Sequence, residues 1–500
     1  MTRRALAVFA VVAAGLIAPA GVAQASPAPA APTGLHVASA GATSFTVAVN
    51  RSANATGYRL YASTTKSDLY YPITRGYHSR LYAAPRMTLA GLPRTSRPYY
   101  YRVVASTKTR TKLSAAIPTA GLQPSAPSSL AAAAGAAGNR LAWRSSWATS
   151  FVIAQATNSA MTTGRRNYYV GNVHRFTPYG LTRGVTYYFR VQAANYGSRS
   201  AWSGVTKIAA TTSEQAVRVI TYNLLKKTSD GTRNDNATEV IAPYAQRVVK
   251  QAALLKASPA DVIGVQEAGY YLGSGAHPSD RQADALTRLL PGYRVAPTEK
   301  LSYPNYGTNF QGYVIYNTAT VSLVDPDPAH CSCGVFEMDS TPGHRAIYAQ
   351  LQLKSGARFL FVSPHLANPL NSDATRLAEV HRLLAEVASY NTAHLPVVYA
   401  GDFNSDMRKG KIDVPGNAMH VTLDEASLVA QTKYNAAYDS YNQYRRTPPR
   451  YGIYLDRIFV TPGVAVPAWG VVVQLSHGRF VGAIPSDHNP VYARVILPSS

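Results

Sequence analysis

Six short apolar runs in the second half of this chain each carry an acid, an amide or a histidine at or beside one end, and that pattern restricts the fold more than any other. Val217 to Tyr222 runs into Asn223, and Asp261 to Gln266 runs into Glu267. Phe359 to Val362 leads into Ser363-Pro364-His365-Leu366-Ala367-Asn368, and Leu395 to Ala400 into Gly401-Asp402-Phe403-Asn404. Asp456 opens Arg457-Ile458-Phe459-Val460, and Ser486-Asp487-His488-Asn489-Pro490 precedes the closing run Val491 to Leu497. Short apolar runs bounded by turn residues read as buried strands. Between them, Val248, Val249, Ala252 and Leu255 before Pro259, and Leu377, Val380, Leu383, Leu384 and Val387 within Asp373 to Tyr390, have helical spacing. Strands alternating with helices predict an α/β sandwich, whose site gathers at strand ends.

The first half has a different rhythm. After a Pro/Ala linker over 26–30, two segments repeat one plan. The first, 31–121, carries Ser44-Phe45-Thr46-Val47, Gly57-Tyr58-Arg59-Leu60, Gly91-Leu92 and then Tyr99-Tyr100-Tyr101-Arg102-Val103. The second, 122–213, carries Arg140-Leu141-Ala142-Trp143, Phe151-Val152-Ile153, Gly180-Leu181 and then Tyr187-Tyr188-Phe189-Arg190-Val191. Period-two runs between turns predict antiparallel sandwiches. The Gly-Leu turn followed by tyrosine and a strand reading aromatic-Arg-Val resembles the fibronectin type III module, an immunoglobulin-like all-β sandwich. The resemblance makes Tyr99 and Tyr187 corner tyrosines tied to upstream backbone. The first copy departs from it near Val49, where the second has Trp143.

Residues 1–25 read as an export leader: Arg3-Arg4, an apolar stretch from Ala5 to Ile17, then Ala23-Gln24-Ala25 as cleavage site. The expected mature chain is extracellular and monomeric, with no transmembrane anchor, because the stretch is short against the roughly 20 residues of a span. Cys331 and Cys333 are the only cysteines. They are a local clip or free thiols, and too few for a zinc centre.

The net charge is +24, and it is lopsided: 23 Lys and Arg against two acids before residue 215, and 26 against 23 after it. Such a field draws polyanions. Nucleic acid, DNA foremost, or an anionic cell-surface polymer are the expected partners of the two modules. The alternative is that they are spacers.

From residue 216 to the C-terminus, the ordered set Asn223, Glu267, His365, Asp402, Asn404, Asp456, Asp487 and His488 resembles the endonuclease/exonuclease/phosphatase superfamily. The resemblance implies a four-layer α/β sandwich of the deoxyribonuclease I kind and hydrolysis of phosphodiesters. It implies a divalent cation, Mg²⁺ in first place with Mn²⁺ or Ca²⁺ as alternatives, held by Glu267 with Asn223 and Asp487. Hard oxygen donors suit that ion, and a cation neutralises charge developing on phosphate. Asp402 would position or deprotonate the attacking water, and Asn404 would donate to a phosphoryl oxygen. Asp456 would orient His488 and raise its pKa. His365 joins the catalytic set, and Arg345 and Asn368 are candidates for holding phosphate.

Three departures bear on substrate. Leu225 stands where abasic-site endonucleases carry an acid, Tyr454-Leu455 replace a Trp and Cys of the 5-phosphatases, and Gln311-Gly312 leave His365 without its usual carboxylate. A secreted nuclease is the first expectation. A phospholipase C or sphingomyelinase is the alternative on the same chemistry, and a non-catalytic surface-binding protein is the alternative from another class.

Overall fold

The computed structural model describes residues 27–134, 139–211, 213–233, 237, 239–269, 281–296, 312–325, 331–338, 345–368, 372–406 and 413–499. The expected leader over 1–25 and Gln311 lie outside the described residues. The chain divides into two units, Met1–Leu122 and Gln123–Ser500.

In the first unit, strand alternation decides what is buried. Tyr99–Ser106 turns Tyr99, Tyr101, Val103 and Ala105 inward and Tyr100, Arg102 and Val104 outward. A three-stranded sheet (His36–Ala40, Phe45–Ala48, Arg86–Leu89) faces a five-stranded one built around Gly57–Ser63 and Tyr99–Ser106. Phe45, Val47, Leu60, Met87 and Val103 fill the space between them. The Tyr99 hydroxyl donates to the Pro93 carbonyl at 2.8 Å, the upstream tie expected of it.

The second unit begins with another pair of antiparallel sheets. Trp143 packs edge-on against Phe151 in their core, with ring centroids 5.2 Å apart. The Tyr187 hydroxyl accepts from Thr182 N at 3.1 Å. This sandwich is not a detached spacer. Ala465 and Ile496 of the following α/β region belong to its core. Gly171 N donates to the Leu428 carbonyl at 2.7 Å, Tyr169 N to Gln431 Oε1 at 2.6 Å, and Gly463 N to Thr177 Oγ1 at 3.0 Å.

Strand Ser213–Asn223 leads out of this sandwich into the centre of a seven-stranded sheet, parallel to Val262–Gln266 on one side and antiparallel to Val491–Ser499 on the other. A second sheet orders Val321–Leu323, Arg345–Leu353, Arg358–Pro364, Val397–Asp402, Asp456–Val460 and Asp424–Glu425, with Cys333–Glu337 also paired to Arg345–Leu353. The two sheets bury Val217, Val219, Val314, Phe361, Val398 and Ile458 between them. Tyr244–Ala257 and Gln282–Arg288 cover the outer face of one, and Asp373–Tyr390 and Val414–Thr422 cover the other. This is the expected four-layer sandwich. Cys331 and Cys333 are joined in a disulfide. Among the described residues no helix is long and apolar enough to cross a membrane.

Candidate active site

The strand registers bring the marked ends to one edge of the sandwich. Asn223 is level with Gln266, so Glu267 follows beside it. In the other sheet Asp402 is opposite Asp456, and His365 bridges to Asp402. His488 lies just before the strand that pairs with Ser213–Asn223. Each sharp exit needs special backbone. Leu225, Glu267 and Asn404 adopt left-handed φ of 56°, 53° and 48°, uncommon for residues with a Cβ and frequent at functional turns. Gly401 is required for closeness: a Cβ there would lie 2.1 Å from the Pro364 carbonyl oxygen, so only glycine lets the Asp402 strand approach the His365 strand.

Asp402 Oδ2 is the hub. Asn223 Nδ2 donates to it at 3.1 Å, and His365 Nε2 and His488 Nε2 stand 3.6 and 3.8 Å away. Asn404 N donates to Oδ1 at 2.9 Å. Burial by itself would raise the Asp402 carboxyl, but His488, His365 and these donors bring it below the usual carboxylate range. His365 therefore has a carboxylate neighbour after all. The expectation that it lacks one considered only the preceding strand, whereas the partner comes from the parallel neighbour.

His488 Nδ1 is 2.7 Å from Asp456 Oδ2. Burial lowers the imidazole pKa, but Asp456 and then Asp402 outweigh it and push it up to about 10. Because that value lies above the unfolded one, the pair's contribution to stability is complete below about pH 6.5 and is lost as pH rises through about 10. In the metal-free protein, the His488 ring resonances should not titrate between about pH 6 and 8. Asp456→Asn should bring the midpoint toward about 6.5. A wild-type midpoint near 7 by NMR would remove the ion pair.

The acids also suit a hard cation. Asn223 Nδ2 donates to Glu267 Oε1 at 3.3 Å, and Lys226 N donates to Oε2 at 2.9 Å. Asp487 is pushed up to about 6, by burial first and with Glu267 adding to the rise. Asp456 Oδ1 is buried without a hydrogen-bond donor. Carboxylates crowded together in this way are what a divalent cation relieves. Ligand atoms of Asp402, Asp456 and His488 also lie within 4.8 Å of one another. There Asp456 holds Nδ1 and leaves Nε2 as the donor atom, so this group stands beside Glu267, Asn223 and Asp487 as a second candidate set.

Of the two phosphate candidates, the Arg345 guanidinium pairs with Glu337 at 3.1 Å, and the main-chain carbonyl of the exposed Asn368 accepts from Arg376 Nη1 at 2.8 Å, a bond that does not involve the Asn368 side chain. The Asn404 amide donates to the Leu366 carbonyl at 2.9 Å, which leaves its second hydrogen for another acceptor.

Several supporting residues escaped sequence reading. Ser440 Oγ accepts from Asp456 N at 3.0 Å, and the Ser440 carbonyl accepts from Asn489 N at 2.6 Å. Asn442 N donates to the Asp487 carbonyl at 2.7 Å. Tyr441 packs its ring 5.0 Å from that of His488. Behind the first strand, buried Arg247 holds the Leu224 and Leu225 carbonyls at 2.9 and 3.0 Å, fixing the turn after Asn223.

A family model for the Endonuclease/Exonuclease/phosphatase family matches residues 220–488, from the strand before Asn223 to His488 itself. The chain belongs to that family. Its members are hydrolases of phosphoester bonds and depend in general on divalent metal. No curated protein matches the chain. Among solved structures, a member of the family from Bacteroides thetaiotaomicron is 19% identical, covering 57% of this chain and 99% of its own, with a TM-score of 0.42. A mannosyl-6-phosphatase from the same organism is 19% identical, covering 56% and 99%, at 0.41. TDP2 of D. rerio, solved with a single-strand DNA product, is 15% identical, covering 56% and 99%, at 0.39.

Proposed function

We propose that this chain is an exported, divalent-metal-dependent phosphodiesterase that acts on nucleic acid, with DNA the leading substrate. We further propose that its two sandwiches are fibronectin type III modules. The observation that carries the reading is the convergence on Asp402 Oδ2 of Asn223, His365 and the Asp456-held His488, with Glu267 alongside. Export is supported by the three-part leader, and nucleic acid by the charge of +24.

When bound, the cation supplies neutralisation of charge developing on the phosphate. Asp402, kept ionised by its neighbours, orients a water for attack on phosphorus and takes its proton as the new P–O bond forms and the bond to the leaving oxygen breaks. The His488 imidazolium, aligned through Nδ1 by Asp456, presents Nε2–H to a non-bridging oxygen. The second hydrogen of the Asn404 amide does the same.

The test offers the purified chain plasmid DNA, RNA, sphingomyelin and bis(p-nitrophenyl) phosphate, in Mg²⁺ and in EDTA. Metal-dependent nicking of plasmid that Asp402→Asn abolishes is the expected result. Cleavage of lipid without cleavage of nucleic acid would keep the chemistry and discard the substrate.

A further inference from the structure

The first unit carries a face rich in arginine and tyrosine. In the described part of that unit, twelve Lys and Arg stand against one acid, Asp68, which already accepts from Ser63 Oγ at 2.6 Å. A single carboxylate cannot neutralise such a set, so the module carries a strong positive field of its own. Both sandwiches set guanidinium groups against rings: Arg80 lies over Tyr82 in the first, and Arg166 over Tyr168 and Tyr179 and Arg190 over Trp202 in the second.

Aromatic side chains share the charged face. On the outward side of the five-stranded sheet, Tyr61 is level with His78 on one neighbouring strand and with Arg102 on the other. The Tyr61 and His78 rings have centroids 5.8 Å apart. Tyr100, two residues before Arg102, projects to the same side of the sheet. Arg102 Nη1 donates to the Leu69 carbonyl at 2.9 Å and so anchors the loop carrying Tyr70 and Tyr71, which are 54% and 76% exposed. Exposed arginines at positions 75 and 80 flank the short strand Tyr77–His78.

We propose that this face binds single-stranded nucleic acid, with bases stacking on the tyrosines and phosphates facing the arginines. Flat rings interleaved with guanidinium groups suit a strand whose bases and phosphates alternate, and base stacking needs no particular sequence. A wall polymer or polyphosphate would use the arginines but would have no planar group to set against Tyr61, Tyr70, Tyr71 or Tyr100. The proposal rests on the nucleic-acid reading of the active site and names its substrate as single-stranded at the point of capture.

The experiment uses the full chain in EDTA, so that binding is read without cleavage. Fluorescence anisotropy with a labelled oligo-dT is measured across a salt series for wild type, Tyr70→Ala/Tyr71→Ala, Tyr61→Ala/Tyr100→Ala and Arg75→Gln/Arg80→Gln. Each tyrosine pair should weaken binding about tenfold or more, with little change in salt slope. The arginine pair should lower the slope by about one to two. Hydrolysis of bis(p-nitrophenyl) phosphate should be unchanged in all three. Tyr70 and Tyr71 are exposed, so that variant keeps its fold even where the sheet variant does not. Wild-type affinity in Tyr70→Ala/Tyr71→Ala, or polyphosphate competing as well as oligonucleotide, would overturn the proposal. Oligonucleotide binding lost with the tyrosines in a chain that cleaves no nucleic acid would sustain this surface and sink the nuclease reading. Cleavage with tyrosine-independent binding would do the reverse.

Discussion

Asp402→Asn is expected to lower metal-supported phosphodiester hydrolysis by about a thousandfold while lowering the thermal midpoint of the metal-free protein only modestly. The amide keeps the shape of the side chain but cannot take a proton from water, and positioned acid–base catalysis contributes about 10² to 10⁴ in rate. The stability half follows from charge. Asp402, Asp456, Glu267 and Asp487 meet at one edge, and burial disfavours the ionised forms of Asp402, Asp456 and Asp487 there. Removing the Asp402 charge relieves repulsion from Asp456 but withdraws the larger attraction to His488 and His365 that holds its carboxyl below the usual range, so the midpoint at neutral pH should fall a little. A purely structural role for Asp402 predicts a different pairing, with activity falling only as the folded fraction falls. Steady-state hydrolysis of bis(p-nitrophenyl) phosphate and thermal unfolding of the same preparation decide between them. More than a tenth of wild-type activity in the variant would move the base elsewhere.

Much of this site was legible because its chemistry sits at strand ends, and strand ends are what apolar runs reveal. Asn223, Glu267, Asp402, Asp456 and His488 could be named before their distances were known. What escaped depends on pairing between strands distant in sequence. That His365 would bridge to Asp402 is set by the parallel register of Arg358–Pro364 and Val397–Asp402, which no local pattern encodes. Asp439-Ser440-Tyr441-Asn442 lies outside any apolar run, so it reads as a polar loop, yet its backbone and hydroxyl brace Asp456 and His488. The helical spacing of Val249 suggested a buried face, but the side chain is 56% exposed because Tyr244–Ala257 is covered on one side only. The union of the second sandwich with the α/β region was invisible for another reason. It depends on an arginine that in a basic module looks like one more surface charge.

That arginine is Arg175, and Arg175→Ala is expected to destabilise the second unit by about 3 kcal/mol at neutral pH. Its guanidinium donates to Asp424 Oδ1 at 2.6 Å, to the carbonyls of His420 and Val421 at 2.7 and 3.0 Å, and to that of Leu423. These carbonyls close the C-terminal end of Val414–Thr422, where a cation is favoured by unpaired acceptors and the helix dipole. The Asp424 side chain is only 3% exposed, so losing its partner strands a buried charge. Burial already holds Asp424 at about 6, even against Arg175. A raised carboxyl costs nothing while protonated in both states, below about pH 3.9, and costs progressively more up to the folded value. Without Arg175 that value rises further, so the loss should be smaller at pH 5 than at pH 8. The damage should reach the site. Glu425, next in sequence, is held well below the usual range, against its burial, by Arg457 and His420, and Arg457, which follows Asp456 in its strand, also pairs with Asp413. Arg175→Lys, with one ammonium for four acceptors, should restore only part of the stability. Urea unfolding of the three proteins at the two pH values reads each of these outcomes. A loss below about 0.5 kcal/mol at pH 8 is the size of an ordinary surface substitution, and it would return the second sandwich to the role of spacer.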